Sequence, residues 1–309
     1  LAPLGARSDP GPQSGARACA RTAAPPFAGH SLVKNTALKA FFGVLLASLT
    51  VLMVEAALWL VNVPDRGIYD GDSATVWWLK PNLNRPLPHS DGHTFQVHTN
   101  ALGLRGPLPP ETGEWILALG CSTTFGWGVE AEQSWPAVLS KNLDTPVING
   151  GMPGWSTHQA KQRIAQWPDS LKSPSTVILA YWVRDAQLAP KADHRAKPTP
   201  WPFRLQLGRL MAQALQGDST ASATTARVGL SDYQDNLAEI KAQFPNQTVY
   251  GLFFPQKTPN ADYANALAAQ TQVLELPDFS EDLFFKTDPI HLTSAGHQTL
   301  AKALAEKLR

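Results

Sequence analysis

Hydrophobic residues follow two different patterns along the chain. Residues 40–63 form one long apolar run in which Glu55 is the single charged side chain. From residue 114 onward, short apolar runs alternate instead with segments that repeat apolar residues at helical spacing. Between these two regions, residues 64–113 are rich in Pro, Gly, Asn and His and contain one candidate strand, residues 94–98.

The long apolar run predicts a transmembrane anchor. As a helix it would be about 36 Å long at ~1.5 Å per residue, which is enough to cross a hydrocarbon core of ~30 Å. Trp59 stands where an interfacial aromatic residue is expected, and Pro64 ends the helix. Residues 1–39 carry five basic side chains and one acidic side chain, which predicts a cytoplasmic N-terminus. Residues 64–309 would then lie outside a bacterial inner membrane, in the periplasm or another extracytoplasmic space.

Two other interpretations of this run are open. Val54, Glu55 and Ala56 make a passable signal-peptide cleavage site, although the apolar run continues past it. The run could also be a buried helix of a soluble protein. Residues 1–39 lack apolar periodicity and are rich in Ala, Pro, Gly and Arg, so we predict that they are disordered.

The alternating pattern predicts an α/β domain over residues 114–309. Continuous apolar strands separated by helices are typical of a parallel sheet covered on both faces. In such sheets the functional site lies at the carboxyl ends of the strands. Residues 191–230 break the rhythm and are interpreted as an insertion or lid. The predicted strands are 115–119, 146–148, 176–182, 248–254 and 272–276, and the predicted helices are 132–142, 157–167, 232–244 and 294–308.

Composition and charge narrow the function classes. Charged residues make up 17% and hydrophobic residues 43%, which excludes a wholly disordered, collagen-like or coiled-coil protein. The formal net charge of +1 gives no electrostatic argument for a nucleic-acid partner. Two cysteines, Cys19 and Cys121, cannot build a disulfide framework or a four-cysteine zinc site.

No cofactor or metal is predicted. Three histidines, His89, His93 and His98, lie close together in the sequence, but neither a cysteine nor a paired carboxylate joins them as metal ligands. We therefore interpret this stretch as a solvated loop.

Reactive residues follow the predicted strands and precede the last helix. Ser122 comes after a glycine at the end of the first strand of the predicted sheet. A hydroxyl needs a base to act as a nucleophile at neutral pH, usually an imidazole oriented by a carboxylate. Asp288 and His291 are three residues apart, so one turn can present both groups. Gly151, after the second of these strands, offers a bare N–H where an oxyanion would form.

These residues resemble three of the four sequence blocks of the SGNH hydrolases, the lipase and acylhydrolase superfamily often called GDSL. Ser122 matches the nucleophile block and Gly151 the glycine block, while Asp288 and His291 match the Asp-x-x-His block that here precedes Ser294-Ala-Gly-His297. The resemblance covers roughly residues 94–309, including the lead-in 100–106. It implies a three-layer, flavodoxin-like α/β/α sandwich that hydrolyses esters or transfers acyl groups.

The chain departs from the family pattern at three positions. Cys121 replaces the aspartate before the serine, Arg184 stands where the oxyanion asparagine belongs, and Trp182 replaces a glycine. The resemblance assigns the oxyanion hole to the Ser122 and Gly151 N–H groups and to position 184. Arg184 either reaches the oxyanion with a charge-assisted bond or overshoots to pair with Asp185 or an anionic substrate group.

Several residues near these blocks allow other interpretations. Cys121 is an alternative nucleophile, because thiolates react readily. Literal Gly-Asp-Ser sequences at 71–73 and 217–219 do not follow apolar strands and are interpreted as loops. Trp127, Trp155 and Trp182 lie within the motif blocks, either as core residues or as stacking surfaces for the sugar rings of a substrate.

The sequence thus favours a membrane-anchored, extracytoplasmic serine esterase or O-acyltransferase. Its predicted nucleophile is Ser122, with His291 as base, Asp288 as the orienting carboxylate and an acylated envelope glycan as substrate. The alternative is a catalytically degenerate domain that binds glycan or assembles a complex, which the arginine at position 184 favours and the Asp288/His291 pair opposes.

Overall fold

The computed structural model describes residues 29–65, 67–197, 200–215, 222–255 and 260–309, with side chains from residue 35 onward. The chain divides into two compact units, residues 1–56 and residues 57–309. Most of the segment predicted to be disordered, residues 1–28, lies outside the described residues.

The first unit contains the start of one long helix, α1 (Gly29–Leu60). Its part Asn35–Leu60 has a mean hydropathy of 2.2 and is long and apolar enough to cross a membrane, a test that a signal sequence also passes. The helix ends before the apolar run does. Asn62 has a φ of 54°, a left-handed conformation that follows many helix ends, and Pro64 disfavours helical backbone at Val63.

The lead-in segment before the predicted α/β domain is more ordered than its composition indicates. It forms two antiparallel hairpins, β1 (Tyr69–Asp72) with β2 (Val76–Leu79) and β3 (Asn84–Pro88) with β4 (Thr94–His98). Of these strands the sequence predicted only β4. The hairpins contribute buried side chains to the same hydrophobic core as the rest of residues 57–309, namely Trp78, Leu79, Phe95 and Val97.

A five-stranded parallel sheet forms the centre of residues 57–309. Its order is β11-β10-β7-β5-β6, and all five residues of β5 and of β6 are buried. Each of its strands is followed by at least one helix, which is the connection that parallel strands require. The strands from β5 onward are β5 (Ile116–Gly120), β6 (Val147–Gly151), β7 (Thr176–Ala180), the short pair β8 (Leu188–Ala189) and β9 (Thr225–Ala226), β10 (Thr248–Gly251) and β11 (Gln272–Val273).

Helices cover the sheet in two groups. Helices α3 and α8 pack together, whereas α6 packs against both α4 and α7. Right-handed crossovers place the two groups on opposite faces, because the chain reverses direction across the sheet after β6. The prediction of a three-layer α/β/α sandwich is confirmed. The helices after α1 are α2 (Ser122–Phe125), α3 (Trp135–Leu143), α4 (Thr157–Ala165), α5 (Gln206–Leu215), α6 (Leu230–Ala242), α7 (Ala261–Ala268) and α8 (Ser294–Leu308).

The predicted insertion, residues 191–230, contains short structured pieces. It holds a 3-10 turn at Trp201–Arg204, then α5 and strand β9, which pairs with β8. Residues 198–199 and 216–221 lie outside the described residues. Near the start of the insertion, the Asp193 carboxylate lies 2.9 Å from the Arg227 guanidinium, an ion pair that ties the two ends of the insertion together.

Candidate active site

The fold places Ser122 directly after the carboxyl end of strand β5, which lies between β7 and β6 in the sheet. Cys121 has extended backbone and Ser122 is the first residue of α2, so the chain turns sharply from strand to helix. Gly120 allows this turn, since a Cβ there would lie 2.1 Å from Thr124 Oγ1. The Ser122 N–H, in the first turn of the helix, has no acceptor within the helix itself.

Ser122, His291 and Asp288 form a continuous hydrogen-bonded chain. Ser122 Oγ lies 2.7 Å from His291 Nε2, and His291 Nδ1 lies 2.7 Å from Asp288 Oδ2. Both Ser122 and His291 are buried. The turn before α8 fixes the imidazole, because the His291 N–H donates to the Asp288 carbonyl and the His291 carbonyl accepts from the Phe285 N–H. The sequence-predicted nucleophile, base and orienting acid therefore meet in one place.

The charge of Asp288 determines which atoms donate and which accept in the hydrogen bonds of Ser122, His291 and Asp288. The hydrogen bond from His291 lowers the pKa of the Asp288 carboxyl below its ordinary value and outweighs the opposing effect of burial. An ionised carboxylate only accepts hydrogen bonds, so His291 Nδ1 carries a proton and donates it to Asp288. In the neutral ring Nε2 is then free to accept the hydroxyl proton of Ser122, which is the arrangement a general base needs.

Two other histidines are not suited to this role. Burial lowers the pKa of His297 to about 3, and its Nδ1 accepts from the Trp135 N–H at 3.1 Å. His158 lies on α4, where its Nε2 is 3.0 Å from the Gln162 amide. Neither imidazole is hydrogen-bonded to Ser122.

A buried arginine that the sequence analysis did not identify holds the loop after Ser122. Arg105 is 1% exposed. Its guanidinium donates to the carbonyls of Phe125, Gly126 and Val129, and to that of Gln96. These bonds satisfy backbone groups that the turn leaves without helix or sheet partners. Burial lowers the pKa of Arg105 to about 10, so it remains charged at neutral pH.

The sequence just before Arg105 forms a tight turn that positions this side chain. Asn100 Oδ1 accepts from the N–H groups of Leu102 and Leu104 and so folds a tight turn. Gly103 at φ 73° completes this turn. An arginine directly after the buried Leu104 is the feature that could have shown a buried charge with a structural role.

The predicted oxyanion donors are arranged differently from expectation. The Gly151 N–H donates to Asn149 Oδ1 at 3.0 Å, so it is already used. Asn149, which is buried, also donates through Nδ2 to the Phe125 carbonyl at 3.3 Å. The side chain two residues earlier thus folds back onto the Gly151 N–H in this structure, and the role of Gly151 as an oxyanion donor stays a prediction.

Arg184 does not make the predicted pair with Asp185 in this structure, and its contact with an oxyanion or an anionic substrate stays a prediction. Its Nη1 donates to Gln187 Oε1 at 2.7 Å, while its Nε is buried without a hydrogen-bond partner among the described residues. Asp185 does not pair with it, since the Asp185 carboxylate accepts instead from the N–H and the hydroxyl of Thr157.

The three tryptophans do not form a common stacking surface. Trp155 is 2% exposed and packs on Trp78 with ring centroids 5.0 Å apart. Trp182 is 4% exposed and stacks on Phe253 at 4.3 Å. Neither ring has a free face for a sugar, so the structure supports the core interpretation for both. Trp127 is half-buried.

Cys121 is buried beside the nucleophile but is not connected to the base. Its Sγ lies 3.3 Å from Thr123 Oγ1, whereas His291 is hydrogen-bonded to Ser122. The geometry therefore favours Ser122 over Cys121 as the nucleophile.

No family model matches the sequence, and neither does any curated protein. Among solved structures, similar chains include a lipolytic protein of the G-D-S-L family from Desulfitobacterium hafniense DCB-2, at 16% identity and TM-score 0.42, with 63% of this chain and 99% of that chain covered. A family two carbohydrate esterase from Clostridium thermocellum is 11% identical at TM-score 0.42, covering 70% and 67%. An acetyl xylan esterase from Butyrivibrio proteoclasticus is 14% identical at TM-score 0.42, covering 71% and 66%.

These likenesses are distant, so the fold assignment rests on the sheet order and the function on the site itself. The topology, the strand-to-helix turn at Ser122 and the Asp288/His291 turn agree with the SGNH-like hydrolase fold that the sequence motifs predict.

Asp185 gives the site region a pH-dependent stability. Burial raises its pKa from 3.8 to about 6, although the hydrogen bonds from Thr157 oppose that shift. Because the folded pKa is the higher one, the contribution is fully present below pH ~4 and is lost as pH rises through about 6. We expect wild type to lose stability relative to Asp185→Asn over this window, by about 3 kcal/mol for two pKa units.

Chemical denaturation of both proteins from pH 4 to 7 measures this difference. Two stability profiles that stay parallel across the window would show that Asp185 does not retain its proton in the folded state.

Proposed function

We propose that the chain is a serine esterase of the SGNH type. The observation that carries this proposal is the chain of short hydrogen bonds from Ser122 through His291 to Asp288, in which Ser122 and His291 are buried. A serine paired with a base, which is itself oriented by a carboxylate, is the arrangement that activates a hydroxyl for acyl transfer.

The residues would act as follows. His291 Nε2 takes the Ser122 proton while Ser122 Oγ attacks the ester carbonyl, and Asp288 stabilises the imidazolium that forms. The same imidazolium then gives the proton to the leaving alcohol and leaves an acyl-serine. In the second step His291 takes a proton from water, which attacks the acyl carbonyl. The proton then returns to Ser122 Oγ as the acid leaves. The Ser122 N–H is a candidate donor to the oxyanion of both tetrahedral intermediates.

The finer parts of the proposal rest on other observations. The basic flank and the apolar helix α1 support a membrane anchor with residues 64–309 outside the cytoplasm. An acylated envelope glycan is the substrate class that this location supports, with Trp127 as the ring available beside the nucleophile block. If an alcohol replaces water in the second step, the same residues perform O-acyl transfer.

The second candidate function is a degenerate domain that binds glycan without turning it over. It is favoured by Arg184, which replaces the family's oxyanion asparagine and donates to Gln187. The intact contact between Ser122 and His291 opposes it.

A chromogenic acetate ester separates the two candidates. With p-nitrophenyl acetate, an esterase gives a burst of product that disappears in Ser122→Ala. His291→Ala should lose as much turnover as Ser122→Ala, roughly 10⁴-fold or more, because members of a triad act as a unit. Asp288→Asn should lose less than either.

His158→Ala is the matched control, since that imidazole lies on α4 away from Ser122, and it should keep wild-type turnover. A wild-type protein without Ser122-dependent release of p-nitrophenol, or a His291→Ala variant with near-normal turnover, would contradict the assignment.

A further inference from the structure

The tip of the β3–β4 hairpin, residues 89–93, contacts both halves of the candidate active site. Ser90 Oγ lies 2.8 Å from Thr287 Oγ1, and Asp91 Oδ1 accepts from the N–H and the hydroxyl of Thr287, the residue before Asp288. On the nucleophile side, His93 Nε2 donates to the Gly128 carbonyl at 2.7 Å. The hairpin tip therefore links the loop after Ser122 to the loop that carries Asp288.

His89 is the residue of this tip that faces the catalytic carboxylate. It is 6% exposed, so the interpretation of this stretch as a solvated loop is wrong for His89. Its Nδ1 accepts from the Asp91 N–H at 3.3 Å, which places the proton of the neutral ring on Nε2. Nε2 lies 3.6 Å from Asp288 Oδ2 and has no hydrogen-bond partner among the described residues.

A buried donor without a partner, such as the His89 Nε2–H, is unfavourable and rare in folded proteins. The distance to Asp288 Oδ2 exceeds the ordinary hydrogen-bond range by only a few tenths of an ångström. Catalytic hydrogen bonds are often long without substrate and shorten in the reacting complex. A small shift of the Asp288 loop would therefore give this donor its acceptor.

We infer that His89 is a positioning residue of the active site, whose Nε2–H closes onto Asp288 during the reaction and holds that carboxylate against His291. This inference rests on the proposed esterase function and adds a fourth member to the chain Ser122–His291–Asp288. His89 acts on the carboxylate, not on the substrate.

The surroundings of His89 suit a neutral donor. Burial lowers the pKa of His89. The neighbouring imidazoles of His93 and His291 lower this pKa further, whereas the nearby carboxylates Asp288 and Asp91 raise it. Packing against Phe285 and Phe95, with ring centroids 4.3 and 6.4 Å away, supplies the apolar environment. A neutral ring can donate to Asp288 without adding a positive charge that would compete with the His291 imidazolium.

Substitutions at position 89 test the inference. His89→Phe keeps an aromatic ring and removes the donor, so kcat should fall roughly ten- to a hundredfold with KM little changed, the range for losing a hydrogen bond to a charged group. His89→Gln, whose amide can place a donor near the Nε2 position, should recover part of that loss. His98→Phe is the matched control, because His98 is an exposed histidine on the same hairpin.

A double-mutant cycle shows whether His89 acts through Asp288. In the Asp288→Asn background, His89→Phe should have little further effect on kcat, whereas damage to folding alone would add to it. Equal losses of kcat in both backgrounds, or a wild-type kcat in His89→Phe, would overturn the inference. The esterase proposal is tested separately, because it requires only that turnover by the wild type depends on Ser122.

Nitrogen NMR of the histidine-labelled wild-type chain gives a readout independent of activity and of any variant. His89 should be the neutral Nε2–H tautomer at neutral pH. A charged His89 ring or the Nδ1–H tautomer would overturn the inference.

An independent observation concerns exposed apolar side chains in the segment 201–215. This apolar strip comprises side chains that are between 39% and 77% exposed: Trp201, Phe203, Leu205, Leu210, Met211 and Leu215. Large exposed apolar patches mark sites that bind proteins, membranes or ligands.

The other side of α5 is polar and holds the chain just after α1. Gln206 Nε2 donates to the Pro64 carbonyl and Arg209 Nη2 donates to the Asp65 carbonyl, both at 2.9 Å. Pro64 is only four residues beyond Leu60, so these contacts lie within about 14 Å of chain from the end of the apolar helix.

Charge favours the same environment. Arg195, Lys197 and Arg204 are exposed beside the apolar strip, whereas Asp193 is the one acidic residue in the described part of 191–215. A short amphipathic helix with cationic flanks is typical of segments that lie in a membrane interface.

We propose that the apolar strip lies on the lipid surface from which α1 emerges, with its cationic flank on anionic headgroups. This proposal rests on the proposed membrane anchor.

An environment-sensitive fluorophore tests the placement. The full chain, with Cys19→Ser, carries the label at Met211→Cys or, as control, at Glu306→Cys on the exposed side of α8. In vesicles of phosphatidylethanolamine and phosphatidylglycerol, emission at 211 should shift to the blue and be quenched by doxyl-labelled lipid, and emission at 306 should not.

The possible outcomes test the membrane anchor and the membrane contact of the apolar strip separately. A chain that a carbonate wash removes from the vesicles overturns both. A retained chain whose label at 211 behaves like the label at 306 overturns the strip alone. A blue shift at 211 that appears in detergent only after acylation of Ser122 would show instead that the strip is a lid.

Discussion

The hydrogen bond between Ser122 Oγ and His291 Nε2 joins two segments that are 169 residues apart in the sequence. It forms only if β5 takes its place between β7 and β6 and the turn before α8 returns to the carboxyl end of that strand. The bond therefore depends on the complete parallel order of the sheet and on the packing of α8 against α3. Local structure at either end could not place these two atoms 2.7 Å apart.

Polar contacts, some buried and some at the surface, hold the loops at this junction. Arg105 donates to the backbone after Ser122, and the hairpin tip 89–93 bonds to both Gly128 and Thr287. In a buried site a backbone carbonyl without a donor costs about 1–3 kcal/mol, so these contacts fix the geometry because the alternatives are unfavourable. The lead-in segment is thus part of the site as well as of the core.

The sequence was sufficient for the central sheet and for the triad, because both leave local signals. Buried parallel strands are continuous apolar runs. Ser122 comes just after such a run, and Asp288 and His291 stand just before the amphipathic helix α8. The roles of His89 and Arg105 were missed for the opposite reason. Asp288 lies 199 residues beyond His89, and three of the four carbonyls that Arg105 binds lie 20 to 24 residues beyond it, in another loop. In addition β3, with Pro at both positions 86 and 88, lacks the pattern of a strand. The use of the Gly151 N–H by Asn149 and the burial of Trp155 and Trp182 likewise depend on side-chain packing that no local pattern encodes.

The central claim is that Ser122 is a nucleophile activated by His291. The most direct measurement is the reaction of the folded full-length chain with a fluorophosphonate probe, followed by intact mass and peptide mapping. The account predicts one adduct per chain, on the peptide that contains Ser122, with labelling strongly slowed in His291→Ala and abolished by unfolding. An adduct on another residue, or a folded chain that the probe does not modify, would contradict it.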